Sequence, residues 1–215
     1  MVAAWTNNLF YGCNLSFYQE TIPGYFPFTL TSYNNLFRLG PLSFVYRDNS
    51  TTWTIKDNLF DCDTLTIHAS TSTAASNNGY RSGLNSLGGS GNKTGLAPDY
   101  QTGPLGNFYY PTNGTNLFTL IDAGSRNATN ASLYHRTTQL NQTPESNSLV
   151  DIGFHYVAVA PNGNPIDSDG DGLADYLEDR NGDGAVDSAE TSWQSATDLE
   201  LKVWITEPKS NSNIP

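Results

Sequence analysis

N-N-L-F-Y-G-C-N-L-S-F at residues 7–17, N-N-L-F-R-L-G-P-L-S-F at 34–44 and D-N-L-F-D-C-D-T-L-T-I at 57–67 align without a gap. A degenerate fourth copy, N-N-G-Y, stands at 77–80. Successive copies begin 27, 23 and 20 residues apart, a period that belongs to solenoid coils and is too long for hairpins. In a stack of parallel coils, equivalent side chains lie about 4.8 Å apart and form ladders. Leu9, Leu36 and Leu59 are expected to make one inward ladder. Leu15, Leu42 and Leu65, with Phe17, Phe44 and Ile67, make another on the next strand. Asn8, Asn35 and Asn58 fill the turn column, because asparagine tolerates left-handed backbone geometry and its amide can bond the equivalent amide one coil away. The competing reading is an antiparallel sandwich whose Asn-rich turns recur by composition.

A second pattern occupies residues 167–190. D-S-D-G-D-G-L-A-D-Y-L-E is followed at once by D-R-N-G-D-G-A-V-D-S-A-E, and each copy matches the calcium-loop pattern D-x-[DN]-x-[DN]-G-x5-E. Calcium takes about six to eight oxygen ligands, so a short loop must turn several oxygens toward one point. In the first copy the expected ligands are Asp167, Asp169, Asp171, the Leu173 carbonyl, Asp175 and Glu178, with Gly172 at the bend. In the second they are Asp179, Asn181, Asp183, the Ala185 carbonyl, Asp187 and Glu190, with Gly184 at the bend. About two calcium ions are expected. The alternative is an acidic, solvated linker, and clustered carboxylates without metal would behave as one.

Position 12 of one loop abuts position 1 of the next, which leaves no room for the flanking helices of a paired EF-hand or the recognition helices of a dockerin. The arrangement resembles thrombospondin type 3 repeats and their bacterial relatives over about residues 164–193, although the cysteines of the animal repeats are absent. L-I-D-A-G at 120–124 and V-D-I-G-F-H-Y at 150–156 resemble the closing coils of right-handed parallel β-helices, pectate-lyase-like, in bacterial surface proteins. That likeness implies that Asp122 and Asp151 bond backbone or a neighbouring turn and that Gly124 and Gly153 permit tight corners. The fold expected is all-β: a right-handed parallel β-helix, or solenoid, with a tandem calcium-loop segment after it. Residues 1–163 are read as the end of the β-helix, 164–193 as the calcium loops, and 194–215 as a linker or the first strand of a following module. The period-two alternation of Leu199, Leu201, Val203 and Ile205 supports that strand.

Composition sets the outer limits. Charged residues make up 14% of the chain and hydrophobic ones 37%, the balance of a turn-rich extracellular β protein. The net charge of −11 is mostly local, since 167–190 holds nine of the 21 acidic residues and one of the ten basic ones, leaving −3 for the rest of the chain. No basic cluster invites nucleic acid, and no run reaches the length of a membrane span. Cys13 and Cys62 are free to form one disulfide or to stay reduced, and the unbonded state is favoured. Residues 1–9 lack the regions of a signal peptide, yet such calcium loops suit the cell exterior. A piece of a longer secreted or cell-surface bacterial chain is therefore expected, with adjacent domains as partners and a glycan as a further one.

The function expected is a non-catalytic, calcium-binding connector. The alternative is a fragment of a polysaccharide lyase or glycoside hydrolase on a β-helix scaffold. Glycoside hydrolysis needs two carboxyl groups across a cleft, and Asp61 with Asp63 is the best pair because residues two apart share a strand face. A lyase would want Arg38, Arg47 or Lys56. His68, His135 and His155 are not spaced as zinc ligands, and His155 is expected to pack with its ring nitrogen on a backbone partner. Residues 70–110 read as a long loop or loosely built last coils, and Phe108, Tyr109 and Tyr110 as aromatics that cover the core in preference to lining a sugar site.

Overall fold

A computed structural model describes residues 2–19, 29–46, 52–68 and 73–197. The first three repeats each contribute three short strands to three parallel sheets. β1 (Val2–Thr6), β4 (Thr29–Tyr33), β7 (Trp53–Lys56) and β10 (Thr73–Ser76) form the first sheet; β2 (Leu9–Tyr11), β5 (Leu36–Arg38), β8 (Leu59–Asp61), β11 (Gly79–Arg81) and β12 (Lys93–Leu96) the second; β3 (Leu15–Gln19), β6 (Pro41–Tyr46) and β9 (Thr64–Ile67) the third. Except for β11 and β12, which follow one another, strands that pair are separated in the chain by strands of the other sheets, and every pairing in these three sheets is parallel, an order compatible with a parallel β-helix and not with a meander. The register is the one the repeats imply: Leu9↔Leu36↔Leu59 and Leu15↔Leu42↔Leu65. Residues 73–96 add strands to two of the sheets, and the antiparallel sandwich is excluded.

Ring stacking shows how identical side chains one coil apart hold each other. Phe10, Phe37 and Phe60 stack with centroids 4.9 and 5.4 Å apart, and Tyr80 continues the column at 5.1 Å. Phe17 and Phe44 stack at 5.1 Å on the third sheet. These rings, with Leu30, Leu42, Trp53 and Ile55, make one core cluster. The leucine ladder departs from expectation. Leu36 and Leu59 are buried, but they pack with Leu96, Leu117, Leu120 and Ile152 in a separate cluster. Successive strand residues face opposite sides, so Phe10 and Leu9 cannot both point into the same cluster. A layer built from residues 96–157 covers the leucine face, and the second sheet is apolar on both sides as a result.

Each coil turns from the first sheet to the second through two residues. The first is left-handed: Asn7, Asn34, Asp57 and Asn77 have φ between 51° and 60°. The second carries the ladder. Asn8, Asn35 and Asn58 each donate from the backbone and side-chain amide to the side-chain oxygen of the next asparagine, over 2.9–3.2 Å. Asn78 extends the column, and its backbone N–H reaches Asn92 Oδ1 at 3.0 Å. Left-handed geometry and ladder bonding, expected of one residue, are thus divided between neighbours. The position that must have φ > 0 tolerates Asn or Asp, while the position inside the turn needs an amide that both donates and accepts.

The left-handed residues hold the covering layer. Asn7 exchanges bonds with the His155 backbone at 2.7 and 3.0 Å, Asn34 Nδ2 donates to Asp151 O at 3.0 Å, and Asn77 Nδ2 donates to Ala123 O at 3.0 Å. Asp57 accepts from the Ser125 N–H and hydroxyl at 2.7 and 2.8 Å, and its carbonyl accepts from Gly153 N. L-I-D-A-G and V-D-I-G accordingly lie across the corners of the coils. Among the described residues they add no strand to the three parallel sheets, which corrects their reading as closing coils. The role expected of Asp151 is present, its Oδ1 accepting from Asp122 N at 2.7 Å, while Asp122 takes part through its backbone N–H; a Cβ on Gly124 would lie 2.4 Å from Val150 O, and Gly153 has φ of 116°. The layer also holds the antiparallel pairs β13 (Gln101–Gly103) with β14 (Gly106–Tyr109) and β15 (Arg136–Thr137) with β16 (Tyr156–Val157). Tyr109 and Tyr110 are buried and Phe108 packs, half-buried, against the leucine cluster, so these aromatics do cover the core.

Cys13 is exposed and Cys62 buried, and neither is bonded. Leu199, Leu201, Val203, Ile205 and Arg47 lie outside the described residues.

Candidate metal centre

Over their first seven positions the two acidic twelve-residue segments repeat one hydrogen-bond pattern. In the first, both oxygens of Asp167 accept backbone N–H groups, from Gly170 at 2.8 Å and Gly172 at 3.0 Å. In the second, Asp179 accepts from Gly182 at 2.8 Å and Gly184 at 2.7 Å. Position 3 accepts the N–H of position 5 in both, as Asp171 N to Asp169 and Asp183 N to Asn181. Position 5 accepts the N–H of position 7, as Leu173 N to Asp171 and Ala185 N to Asp183. Gly170, Gly172, Gly182 and Gly184 all have φ between 71° and 96°, a region costly for residues with a Cβ. That requirement is why glycine recurs at positions 4 and 6.

In the first loop one oxygen from each of Asp167, Asp169 and Asp171 falls within 4.8 Å of the others, a cluster that can hold a metal ion. Glu178, on the single-turn helix α1 (Asp175–Glu178), is 1% exposed. Neither of its oxygens makes a hydrogen bond of good geometry, and Asp169 Oδ2 is buried without a partner too. Burial raises the Glu178 carboxyl above its ordinary value; Thr191 eases it, and Asp169, Asp171 and Asp175 push it further. A buried carboxylate without partners is costly, and a divalent cation bound by oxygen would relieve it. The residues present therefore fit such an ion. Asp175 does not turn into this cluster: its oxygens accept the Ser168 N–H and hydroxyl at 2.6 Å each.

The second loop is closed by its own polar groups. Asn181 Nδ2 donates to Asp183 at 3.1 Å and to Asp187 at 2.8 Å, while Glu190 accepts the N–H groups of Asn181 and Asp187, both at 3.1 Å. All the side chains expected to bind metal here except the first are thus gathered around Asn181.

The segment is seated on the covering layer. Tyr134 N donates to Gly182 O at 3.1 Å. His135, 9% exposed, places Nε2 3.0 Å from Asp179 Oδ2 and Nδ1 3.8 Å from Asp175 Oδ2, so it touches one residue from each loop. Trp193 packs on His135 and Tyr134 with centroids 5.1 and 5.8 Å away. A Cβ on Gly184 would lie 2.2 Å from Tyr134, whereas Gly172, at the same loop position, faces open space. Gly184→Ala should therefore cost about 2 kcal/mol more than Gly172→Ala, since backbone strain is common to both and the clash is not. Thermal denaturation of the two variants measures the difference.

A second buried cluster lies in the covering layer. His155 Nε2 is 2.8 Å from Glu145 Oε1, which also accepts the Asp151 N–H at 3.2 Å. All three residues are buried, and together they form a carboxylate and histidine group of metal-ligating type. Their oxygens are already occupied, Asp151 by Asp122 N and the Thr138 hydroxyl, and Glu145 also by the Ser148 hydroxyl. This cluster ties the layer together. The partner of His155 is a side chain, not the backbone expected, and Nδ1 is buried without a partner.

Burial, reinforced by the charge of Glu145, pushes the Asp151 carboxyl up to about 7 from an ordinary 3.8. The folded chain therefore retains a proton that the unfolded chain releases. The resulting stability is complete below the ordinary value and is lost as pH rises through about 7. Asp151→Asn keeps an acceptor for Asp122 N and cannot ionise. Relative to the parent it should gain about 2 kcal/mol between about pH 5 and about pH 8, read from urea midpoints at the two pH values.

Asp61 and Asp63 do not form an open catalytic pair. Asp61 is 3% exposed, bonded by Arg38 and by the Tyr100 hydroxyl at 3.1 Å, with Arg81 3.9 Å away. Asp63 accepts Gly40 N at 2.8 Å and also has Arg81 3.9 Å away. The described residues contain no helix long and apolar enough to cross a membrane. Compared with models of protein families, with curated proteins and with solved structures, the chain matches none, so geometry alone carries the functional reading.

Proposed function

We propose that this chain is a calcium-binding structural module of a large secreted or cell-surface bacterial protein, without catalytic activity of its own. Residues 1–163 would be the end of a right-handed parallel β-helix, 164–193 a thrombospondin type 3-like pair of calcium loops, and 194–215 the passage to an adjacent domain. The observation that carries this reading is the repetition of one hydrogen-bond pattern in the first halves of both loops, combined with the buried carboxylate of Glu178, which only Thr191 eases. Hard oxygen donors with no sulfur or imidazole in the ring favour calcium over softer metals. Asp167, Asp169, Asp171, Leu173, Asp175 and Glu178 would hold one ion, and Asp179, Asn181, Asp183, Ala185, Asp187 and Glu190 the other. Asp175 would have to exchange Ser168 for metal or act through water.

Seating on residues 132–135 gives calcium a role beyond stiffening a connector. An ion that fixes the loops also fixes the glycine surfaces that touch Ser132 and Tyr134, so the covering layer and whatever follows Trp193 would keep one orientation. Limited proteolysis of the full chain tests this. Cleavage between residues 164 and 197 should be slow in calcium and fast after chelation, and equal rates would refute it.

A further inference from the structure

A groove of about 620 Å³ runs between the outer face of the first two coils and the segment that carries β13 and β14. Its size falls within the roughly 300–1,000 Å³ of small-ligand sites. Tyr11 and Arg38 come from β2 and β5, and Asp99, Tyr100, Asn107 and Phe108 from the opposite wall. We propose that this groove binds a neutral glycan chain.

Tyr11 supplies the open aromatic face, backed by Phe108 and Tyr100, which pack against the leucine cluster. Tyr11 is 57% exposed and sits 5.9 Å from Phe108, which meets Tyr100 edge-on at 5.4 Å. The C–H face of a pyranose ring carries slight positive charge and settles on the electron-rich face of an aromatic ring. Between these rings stand polar groups of both kinds. Arg38 and the Asn107 amide donate, and Asp99, which spends one oxygen on Leu117 N at 3.1 Å, accepts with the other. A ligand without polar groups would leave them unsatisfied, whereas sugar hydroxyls donate and accept in turn.

Charge selects a neutral ligand. The Arg38 guanidinium already pairs with buried Asp61 and lies over Tyr100 at 4.6 Å and Phe108 at 5.5 Å. A uronate carboxylate would meet Asp99 with the nearby positive charge already neutralised. The same contacts hold Arg38 rigid before any ligand arrives, so little ordering entropy is lost on binding. The groove is more open than enclosed, which leaves room for a chain that continues past it. None of its lining comes from the acidic loops, so the two proposals stand or fall separately.

The test is calorimetric titration of the full chain in calcium with cellohexaose, mannohexaose and xylohexaose, and with hexagalacturonate for comparison. At least one neutral hexasaccharide should bind with Kd below about 1 mM. Tyr11→Ala and Asn107→Ala, both at surface positions, should each weaken it about tenfold, while Tyr18→Ala, an exposed aromatic outside the groove, should leave it unchanged. The proposal is overturned by no binding of any neutral probe, by tighter binding of hexagalacturonate, or by equal affinity of the parent and Tyr11→Ala.

Discussion

Asn58→Ala is expected to lower the stability of the full chain by about 4 kcal/mol, the largest loss of any single substitution considered, because it strands several buried polar groups at once. The Asn58 side-chain oxygen accepts Asn35 N at 3.1 Å, Asn35 Nδ2 at 2.9 Å and the Ser32 hydroxyl at 3.1 Å. Its amide donates to Ser32 O at 3.0 Å, Lys56 O at 2.8 Å and Asn78 Oδ1 at 3.2 Å. Asn58, Asn35 and Asn78 are fully buried, so water cannot replace what alanine removes. Each orphaned group costs about 1–3 kcal/mol. Asn8→Ala, at the exposed start of the same column, should cost under about 1 kcal/mol. Urea denaturation of both variants measures the contrast; a loss below about 1 kcal/mol for Asn58→Ala would mean that the ladder is not what holds the coils.

Chelation should have an effect at least as large. A ligand that binds only the folded chain stabilises it by about 2.7 kcal/mol when its concentration is a hundred times Kd, so two sites together contribute about 5 kcal/mol. Removal of calcium should lower Tm accordingly, and Asp171→Ala with Asp183→Ala should reproduce the low value in the presence of calcium. A parent whose Tm ignores chelator contradicts the binding of calcium by the loops. Glu178→Gln separates burial from metal binding, because its amide relieves the unpartnered charge but weakens a bidentate ligand. It should melt above the parent in chelator and below it in calcium.

The coils were legible in the sequence because their register is set by local repetition. Three copies with N-N-L-F or D-N-L-F fix which residues stack, and the structure places Leu9, Leu36 and Leu59 in one row as that alignment requires. The direction in which that row faces was not legible. Leu and Phe alternate as two apolar residues, and a strand covered on both sides has no polar face to mark the outside. Asn92 also escaped notice, since it joins the ladder from an irregular Ser-, Gly- and Asn-rich stretch. The glycines of the acidic loops were legible from spacing alone.

Long-range pairings were the hidden part. His135 meets Asp175 and Asp179 across about forty residues of chain, and no spacing announces such a contact. Likewise, Asp57 looked like one more turn residue in the repeat. Its place in the left-handed column made it an anchor for Ser125. Glu145 lies in unremarkable polar sequence, and although Asp151 stands in the V-D-I-G-F-H-Y phrase, nothing there announces that the fold of the layer brings Glu145 against both Asp151 and His155.

Calorimetric titration of the full chain with calcium tests the central claim most directly. The account predicts two ions per chain, reduced to one by either Asp171→Ala or Asp183→Ala and to none by both. A flat titration in the parent, or a stoichiometry untouched by the double substitution, would contradict it.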